Sequence, residues 1–210
     1  MKKLIAGVLA SALFVTGSLQ AFAEYIGDVQ ARVGYESVTV TYEGETDSQK
    51  GDDYFFGVAN YNLFRNPGDS FSFGCTEQLT FGYGSILHNK DALGFSAGLL
   101  VGPALGIQIG EILRVQAGFG LDVLFYDVYY SKNKYTSNRY AWDFGAGLDL
   151  QLQVLPENFI SPVVGMRFST ISSDKLYTYE DYDGESESDD VDIDMDLVSW
   201  KFYVGASLKF

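Results

Sequence analysis

The chain has 210 residues and is poor in several residue types, which narrows what it can do. Its single cysteine, Cys75, excludes an intramolecular disulfide. Its single histidine, His88, offers little with which to build a histidine-dependent active site, so we expect no enzymatic activity. Only 14 lysine and arginine residues accompany 28 aspartate and glutamate residues, a balance that argues against nucleic-acid binding, which needs a basic surface.

Long apolar runs are also missing after the N-terminal segment, and no useful stretch has helical periodicity. The first 23 residues differ from the rest and have the pattern of a secretory signal peptide. Lys2 and Lys3 precede an apolar run from Leu4 to Val15, and Ala21-Phe22-Ala23 fits the small-x-small cleavage rule. We predict that this signal peptide, residues 1–23, is removed. A retained helical anchor is the alternative, but the apolar run is short for a membrane helix.

Alternation of apolar and polar residues dominates the remaining domain, residues 24–210, and a period of two is typical of β-strands with one apolar face. The clearest example is the apolar row from Tyr140 to Val154, which alternates with small and polar residues. The predicted strands cover residues 27–42, 54–63, 71–83, 92–108, 113–129, 139–154, 159–171 and 200–210. Their connections alternate long and short, which in an up-and-down barrel places all long loops at one end.

The apolar faces of these strands carry Phe, Leu, Trp and Tyr, whereas the opposite faces carry Gly, Ser, Gln and charged residues. The lumen of an eight-stranded barrel is too narrow for eight rows of large side chains. We therefore predict that the apolar faces contact lipid, and that the fold is an all-β, eight-stranded antiparallel up-and-down transmembrane β-barrel. Glu77 is the one residue that interrupts the apolar face of the third strand. A soluble barrel with an apolar interior is the alternative.

Aromatic residues cluster near the predicted strand ends, as in the interfacial girdles of membrane barrels. Those near the long loops are Tyr83, Phe125, Tyr129, Tyr140 and Trp142, and those near the short turns are Phe64, Phe71, Phe159 and Phe210. Two such girdles favour the membrane barrel over the soluble one.

The last strand alternates from Trp200 and stops at Phe210. This ending resembles the closing strand of bacterial outer-membrane β-barrels, which the barrel-insertion machinery reads. The residues that would form the insertion signal are Trp200, Phe202, Val204, Leu208 and Phe210. The pattern over residues 24–210 resembles the small eight-stranded outer-membrane proteins of the OmpX, OmpW and OmpA-transmembrane-domain type. The resemblance implies export through the periplasm to the outer membrane of a Gram-negative-type bacterium, with lipid and the insertion machinery as partners.

Charged residues on the polar faces are expected to lie inside the barrel, where buried charges must be paired. They are Arg32, Glu36, Asp122, Asp143, Asp149, Arg167 and Lys201. Counted from the short turns, Arg32, Asp149, Arg167 and Lys201 are predicted at similar depths, and the other three nearer the long loops. Two interpretations stay open, namely a structural network that fills the lumen and the lining of a narrow polar pore.

Residues 172–196 are predicted to form the longest loop, and the segment from Asp174 to Asp196 holds eleven acidic residues and one lysine. Alternation over residues 190–196 predicts a strand that extends beyond the membrane, with a bulge before Val198 where the apolar phase changes. Weak cation binding or partner contact is assigned to Glu185, Glu187, Asp189, Asp190, Asp192 and Asp194. Their spacing does not match a twelve-residue calcium loop, so no metal or other cofactor is expected.

Two functions therefore remain open at the level of sequence. The first is a monomeric outer-membrane barrel whose acidic external loops serve adhesion, envelope integrity or contact with basic surface partners. The second is a narrow channel for small solutes.

Overall fold

The computed structural model describes residues 24–42, 49–66, 68–85, 92–132, 135–182 and 185–209. The predicted signal peptide, His88 and Phe210 lie outside these ranges. Within them, no helix is long and apolar enough to cross a membrane.

Eight strands close into one barrel, in which each strand pairs antiparallel with its neighbours in sequence and the last strand pairs with the first. The strands are β1 (Glu24–Tyr42), β2 (Gln49–Arg65), β3 (Phe71–Ser85), β4 (Ala92–Ile109), β5 (Leu113–Lys132), β6 (Tyr135–Val154), β7 (Ile160–Tyr182) and β8 (Glu185–Lys209). The predicted fold class is confirmed.

The strands are staggered around the barrel. Following paired residues from Ala31 through all eight strands returns to β1 at Thr41, ten residues further along. Closure with such a stagger requires the strands to tilt by about 35–45° from the barrel axis. The partners of a residue across the lumen therefore depend on this stagger and cannot be derived by counting residues along the sequence.

The large apolar side chains point outward, as predicted. On β6, Trp142 and Phe144 are exposed, whereas Ala141, Asp143 and Asp149 are buried. The direction of β2, which the sequence left ambiguous, is resolved by the same criterion. Tyr54, Phe56 and Val58 face outward, and Phe55, Ala59, Tyr61 and Leu63 face inward.

The aromatic girdles are largely as expected. Tyr83 and Trp142 are exposed at the long-loop end, and Phe71 and Phe159 are exposed at the short-turn end. Phe64 differs because it is 1% exposed. Its ring packs against Tyr25 at a centroid distance of 5.4 Å, so it faces its neighbour on β1 rather than lipid.

The prediction of a long loop over residues 172–196 was wrong. β7 and β8 stay paired from the barrel wall to Tyr182 and Glu185, and form a projecting hairpin. The predicted external strand over residues 190–196 is part of it. The register does shift, but between Ser173 and Lys175 and the residues opposite them on β8.

The predicted bulge before Val198 is present, between Asp192 and Met195, but it does not cause the change of apolar phase at Val198. Met195, Leu197, Ser199 and Lys201 are all buried, so odd-numbered residues keep pointing inward through this region. The pattern changes because the interior itself becomes apolar at Met195 and Leu197.

Candidate functional site

The centre of the lumen is organised around an ion pair between β1 and β6. Arg32 Nη2 lies 3.3 Å from Asp149 Oδ2, and the two side chains are 3% and 0% exposed. The guanidinium of Arg32 also donates to Gln30 at 2.7 Å, Gln78 at 3.1 Å and Gln151 at 2.7 Å. The network thus gives the buried cation both a counter-charge and neutral acceptors.

Two tyrosines complete this centre. The hydroxyl of Tyr61 donates to Asp149 Oδ2 at 2.5 Å, and that of Tyr203 donates to Oδ1 at 2.9 Å. The Arg32 guanidinium carbon lies 4.2 Å from the Tyr203 ring centroid and 5.8 Å from that of Tyr61, within the range of cation–π contact. A Cβ at Gly165 would clash with the Tyr203 hydroxyl, so glycine makes room for this ring.

Two further ion pairs lie nearer the long-loop end. Arg167 Nε donates to Asp122 Oδ2 at 3.2 Å, and Ser169 donates to the same carboxylate. Lys201 forms an ion pair with Glu36, its direct partner across β1 and β8. Asp149 lies directly opposite Arg167, and Arg167 lies directly opposite Lys201, so three of the four residues predicted at similar depths are neighbours across β6, β7 and β8. The ion pairs of Arg167 and Lys201 are nevertheless with Asp122 and Glu36. Asp143 is also buried, at 2% exposure.

A fourth ion pair closes the short-turn end. Arg114 Nη1 lies 3.2 Å from Asp28 Oδ2, and both side chains are almost fully buried. Ser207 donates to the other oxygen of Asp28 at 3.1 Å. In the adjacent β6–β7 turn, hydrogen bonds from Lys209 and Gln108 lower the pKa of the Glu157 carboxyl.

Several buried residues of the lumen are not among those predicted from the sequence. They are Asp28, Asp53, Tyr61, Arg114 and Tyr203. Arg114 already stood on a polar face of its strand, so alternation could have identified it. Tyr203 could have been recognised as the large residue on the otherwise small and polar face of the last strand.

An apolar layer lies above the ion pairs at the long-loop end of the lumen. Its buried members are Val38, Val40, Leu124, Tyr126, Ala141, Ile171, Met195 and Leu197. Within the described part of the barrel, ion-paired side chains therefore occupy the lumen at several depths, and apolar side chains of β1 and of β5 to β8 lie beyond them toward the long loops.

The projecting hairpin carries most of the acidic residues assigned from the sequence. Glu187, Asp189, Asp190 and Asp192 are exposed, and Asp192 lies 3.9 Å from Lys175. The side chains of Glu185 and Asp194 lie outside the described residues. The six acids are thus placed along one strand rather than gathered around a point. No group of three metal-ligating side chains occurs among the residues that the structure describes.

Tyrosines line the same hairpin. Tyr140 on β6 stacks on Tyr177 on β7, with ring centroids 5.3 Å apart and planes 13° apart. Asp190 lies directly opposite Tyr177, so acid and aromatic side chains share one face. Glu180 and Glu187 lie opposite each other, so two like charges face each other across the hairpin.

The residues proposed as an insertion signal form an outward row on β8. Trp200, Phe202, Val204 and Leu208 are exposed, and the ring centroid of Trp200 lies 4.6 Å from that of Phe168. Their outward direction fits lipid contact. Their recognition by the insertion machinery stays a prediction.

Neither a protein-family model nor a curated protein sequence matches the chain. Among solved structures it is similar to Neisserial surface protein A, with a TM-score of 0.51 and 14% identity over 88% of this chain and 97% of that one. It is also similar to a major outer membrane protein from Thermus thermophilus, with a TM-score of 0.52 and 14% identity over 86% of this chain and 99% of that one. The outer membrane protease OmpT from Escherichia coli is similar with a TM-score of 0.52 and 8% identity over 89% of this chain and 96% of that one. The chain has the fold of the outer-membrane β-barrels.

That fold and the outward apolar face together place the protein in a membrane. A closed barrel with an apolar exterior and a polar interior is the arrangement that crosses the bacterial outer membrane. A soluble barrel would have the opposite polarity. The outer-membrane barrel predicted from the sequence is therefore confirmed, and the soluble alternative is wrong.

Proposed function

We propose that this protein is a closed, non-enzymatic outer-membrane barrel that contacts basic partners through the projecting β7–β8 hairpin. The observation that carries the proposal is the row of exposed acids along β8, with Glu187 and Asp189 on one face of the hairpin and Asp190 and Asp192 on the other. The short turns of such barrels face the periplasm and the long connections face outside, so this row is external.

Two features of the hairpin favour binding of a cationic partner. Glu180 and Glu187 lie opposite each other on one face, where Arg139 is already 3.8 Å from Glu180, and a lysine or arginine of a partner would further reduce their repulsion. The Tyr140 and Tyr177 rings lie on the face that carries Asp190, and aromatic faces attract cations. On the face of Tyr177, a basic protein surface or peptide therefore meets the charges of Asp190 and Asp192 together with the aromatic rings.

A narrow channel is the alternative function, and the interior argues against it. Ion pairs such as Arg32–Asp149 and Arg167–Asp122 occupy the lumen, and the apolar layer around Leu124 and Leu197 adds a barrier that water and ions do not cross readily. The likeness to a protease extends to the fold alone.

The test measures binding of the purified protein in nanodiscs to immobilised poly-L-lysine. The double variant Asp189→Asn, Asp190→Asn removes two exposed hairpin charges. We expect its binding to weaken by about five- to tenfold at low salt, since an exposed ion pair contributes up to about 1 kcal/mol. Added salt should reduce binding of the native protein, because it screens exposed charges.

The matched control is Asp69→Asn, Glu111→Gln, which changes the net charge equally at the short-turn end, where both residues are exposed. It should leave binding unchanged. Equal loss in both variants would show that net charge rather than the hairpin controls binding, and would overturn the proposal.

A further inference from the structure

The lipid-facing wall contains a polar patch that the proposed function does not use. Along β3, the outward residues run from Phe71 to Tyr83, which are 50% and 61% exposed and mark the two interfaces. Glu77 lies midway between them and is half-buried. Six residues of a tilted strand rise about 15 Å, so this carboxyl group lies near the middle of the hydrocarbon layer.

Other polar residues surround Glu77 on the same wall. Asn60 on β2 lies directly opposite Glu77, and Asn62 lies opposite Cys75. Tyr25 donates its hydroxyl hydrogen to Asn62 at 2.5 Å. Among the described residues, no hydrogen bond or ion pair reaches the carboxyl group of Glu77. We call Asn60, Asn62, Cys75 and Glu77 the mid-wall patch.

The mid-wall patch is unfavourable in lipid. Its neighbours on the outer wall are apolar, namely Val58, Phe73, Leu79, Leu99 and Val101. A polar group in hydrocarbon lacks water as a partner, and ionisable residues on the lipid face destabilise barrels most at the bilayer midplane. An unpaired acid at this depth therefore requires a partner that lies within the membrane.

We propose that the mid-wall patch is the contact between two copies of this chain, related by a two-fold axis along the membrane normal. Insertion fixes the orientation of every copy, so such an axis brings residues of equal depth together. Glu77 supplies a carboxyl acceptor, and Asn60 supplies amide donors at nearly the same depth. Asn60 of each copy would therefore donate a hydrogen bond to Glu77 of the other copy.

The geometry leaves the projecting hairpin free. β3 and β7 are four strands apart in a barrel of eight, so the mid-wall patch and the hairpin lie on opposite walls. The dimer replaces the monomer expected from the sequence, and it stands independently of what the hairpin binds.

The experiment uses the native cysteine as a reporter, because Cys75 lies two residues from Glu77 on the same outward row of β3. The protein is reconstituted in phosphatidylcholine vesicles over a range of protein-to-lipid ratios. A membrane-permeant bifunctional thiol reagent is then added, and dimers are counted on denaturing gels. The control variant Cys75→Ser, Val164→Cys moves the thiol to the exposed outer face of β7.

We expect cross-linked dimer from the native protein and little from the Val164→Cys control. Glu77→Leu should weaken dimerisation by about tenfold, since hydrogen bonds between membrane segments contribute up to about 1.7 kcal/mol. Glu77→Gln keeps a hydrogen-bonding group and should retain most of the dimer. The heat-dependent gel shift of folded barrels verifies that each variant is folded.

Two results would overturn the proposal. One is a native protein that gives no more dimer than the Val164→Cys control at every protein-to-lipid ratio. The other is a folded Glu77→Leu variant that cross-links as well as the native chain, because the acid would then play no part in the contact.

Discussion

Arg32 illustrates how a single residue is stabilised inside a lipid-embedded barrel. Its side chain is 3% exposed, and its guanidinium contacts one carboxylate, three glutamine side chains and two tyrosine rings. Burying a charge without such partners costs far more than folding can supply. Its ion pair with Asp149 spans the lumen between β1 and β6, which are not neighbouring strands.

The pair predicts strong coupling between two substitutions. Arg32→Met or Asp149→Leu alone leaves an uncompensated buried charge and should lower the free energy of unfolding by about 3–5 kcal/mol. The double variant should lose less than the sum, because neither charge remains. Urea unfolding in detergent micelles measures all four proteins. Additive losses would show that the two charges are not paired.

The identity of such pairs could be predicted only in part. Alternation is enough to place Arg32, Glu36 and Lys201 on inward faces, because side-chain direction follows directly from strand period. Which acid meets which cation depends on the ten-residue stagger of the closed barrel, as the links from Arg167 to Asp122 show. The sequence does not contain that stagger as a local signal.

At the scale of elements, the strands inside the membrane were predictable and their external extensions were not. Inside the bilayer one face must be apolar, which imposes a period of two on the sequence. Above the bilayer both faces of β7 and β8 meet water, so the acids of Glu185–Asp190 show no apolar period. Aspartate and glutamate also have low strand propensity, which favoured the wrong expectation of a loop.

The opposed pair Glu180 and Glu187 allows a test of the hairpin itself. Glu180 already lies 3.8 Å from Arg139, so Glu187→Lys would place a second cation beside it. Replacing repulsion with attraction should stabilise the hairpin by about 0.2–1 kcal/mol. Slower amide hydrogen exchange in residues 175–182 would report this gain. Glu187→Gln should give a smaller effect, and faster exchange in the Glu187→Lys variant would contradict the prediction.

At the scale of the whole molecule, the barrel combines an apolar exterior, a charged interior and an apolar layer toward the long loops. The ion pairs and the bulky layer divide the interior into regions of opposite polarity. An ion that entered would meet both the paired charges and the apolar side chains of Leu124, Ile171 and Leu197. This arrangement predicts a barrel that does not conduct.

Planar-bilayer recording tests that prediction. The native protein should show no reproducible single-channel steps at voltages where a wide porin, recorded as a positive control, conducts. Arg167→Ala removes a cation from the lumen but leaves the apolar layer in place, so it should also remain silent. Reproducible steps in the native protein that Arg167→Ala alters in size or ion selectivity would mean that ions pass through the charged interior. That result would contradict the closed barrel and support the channel function.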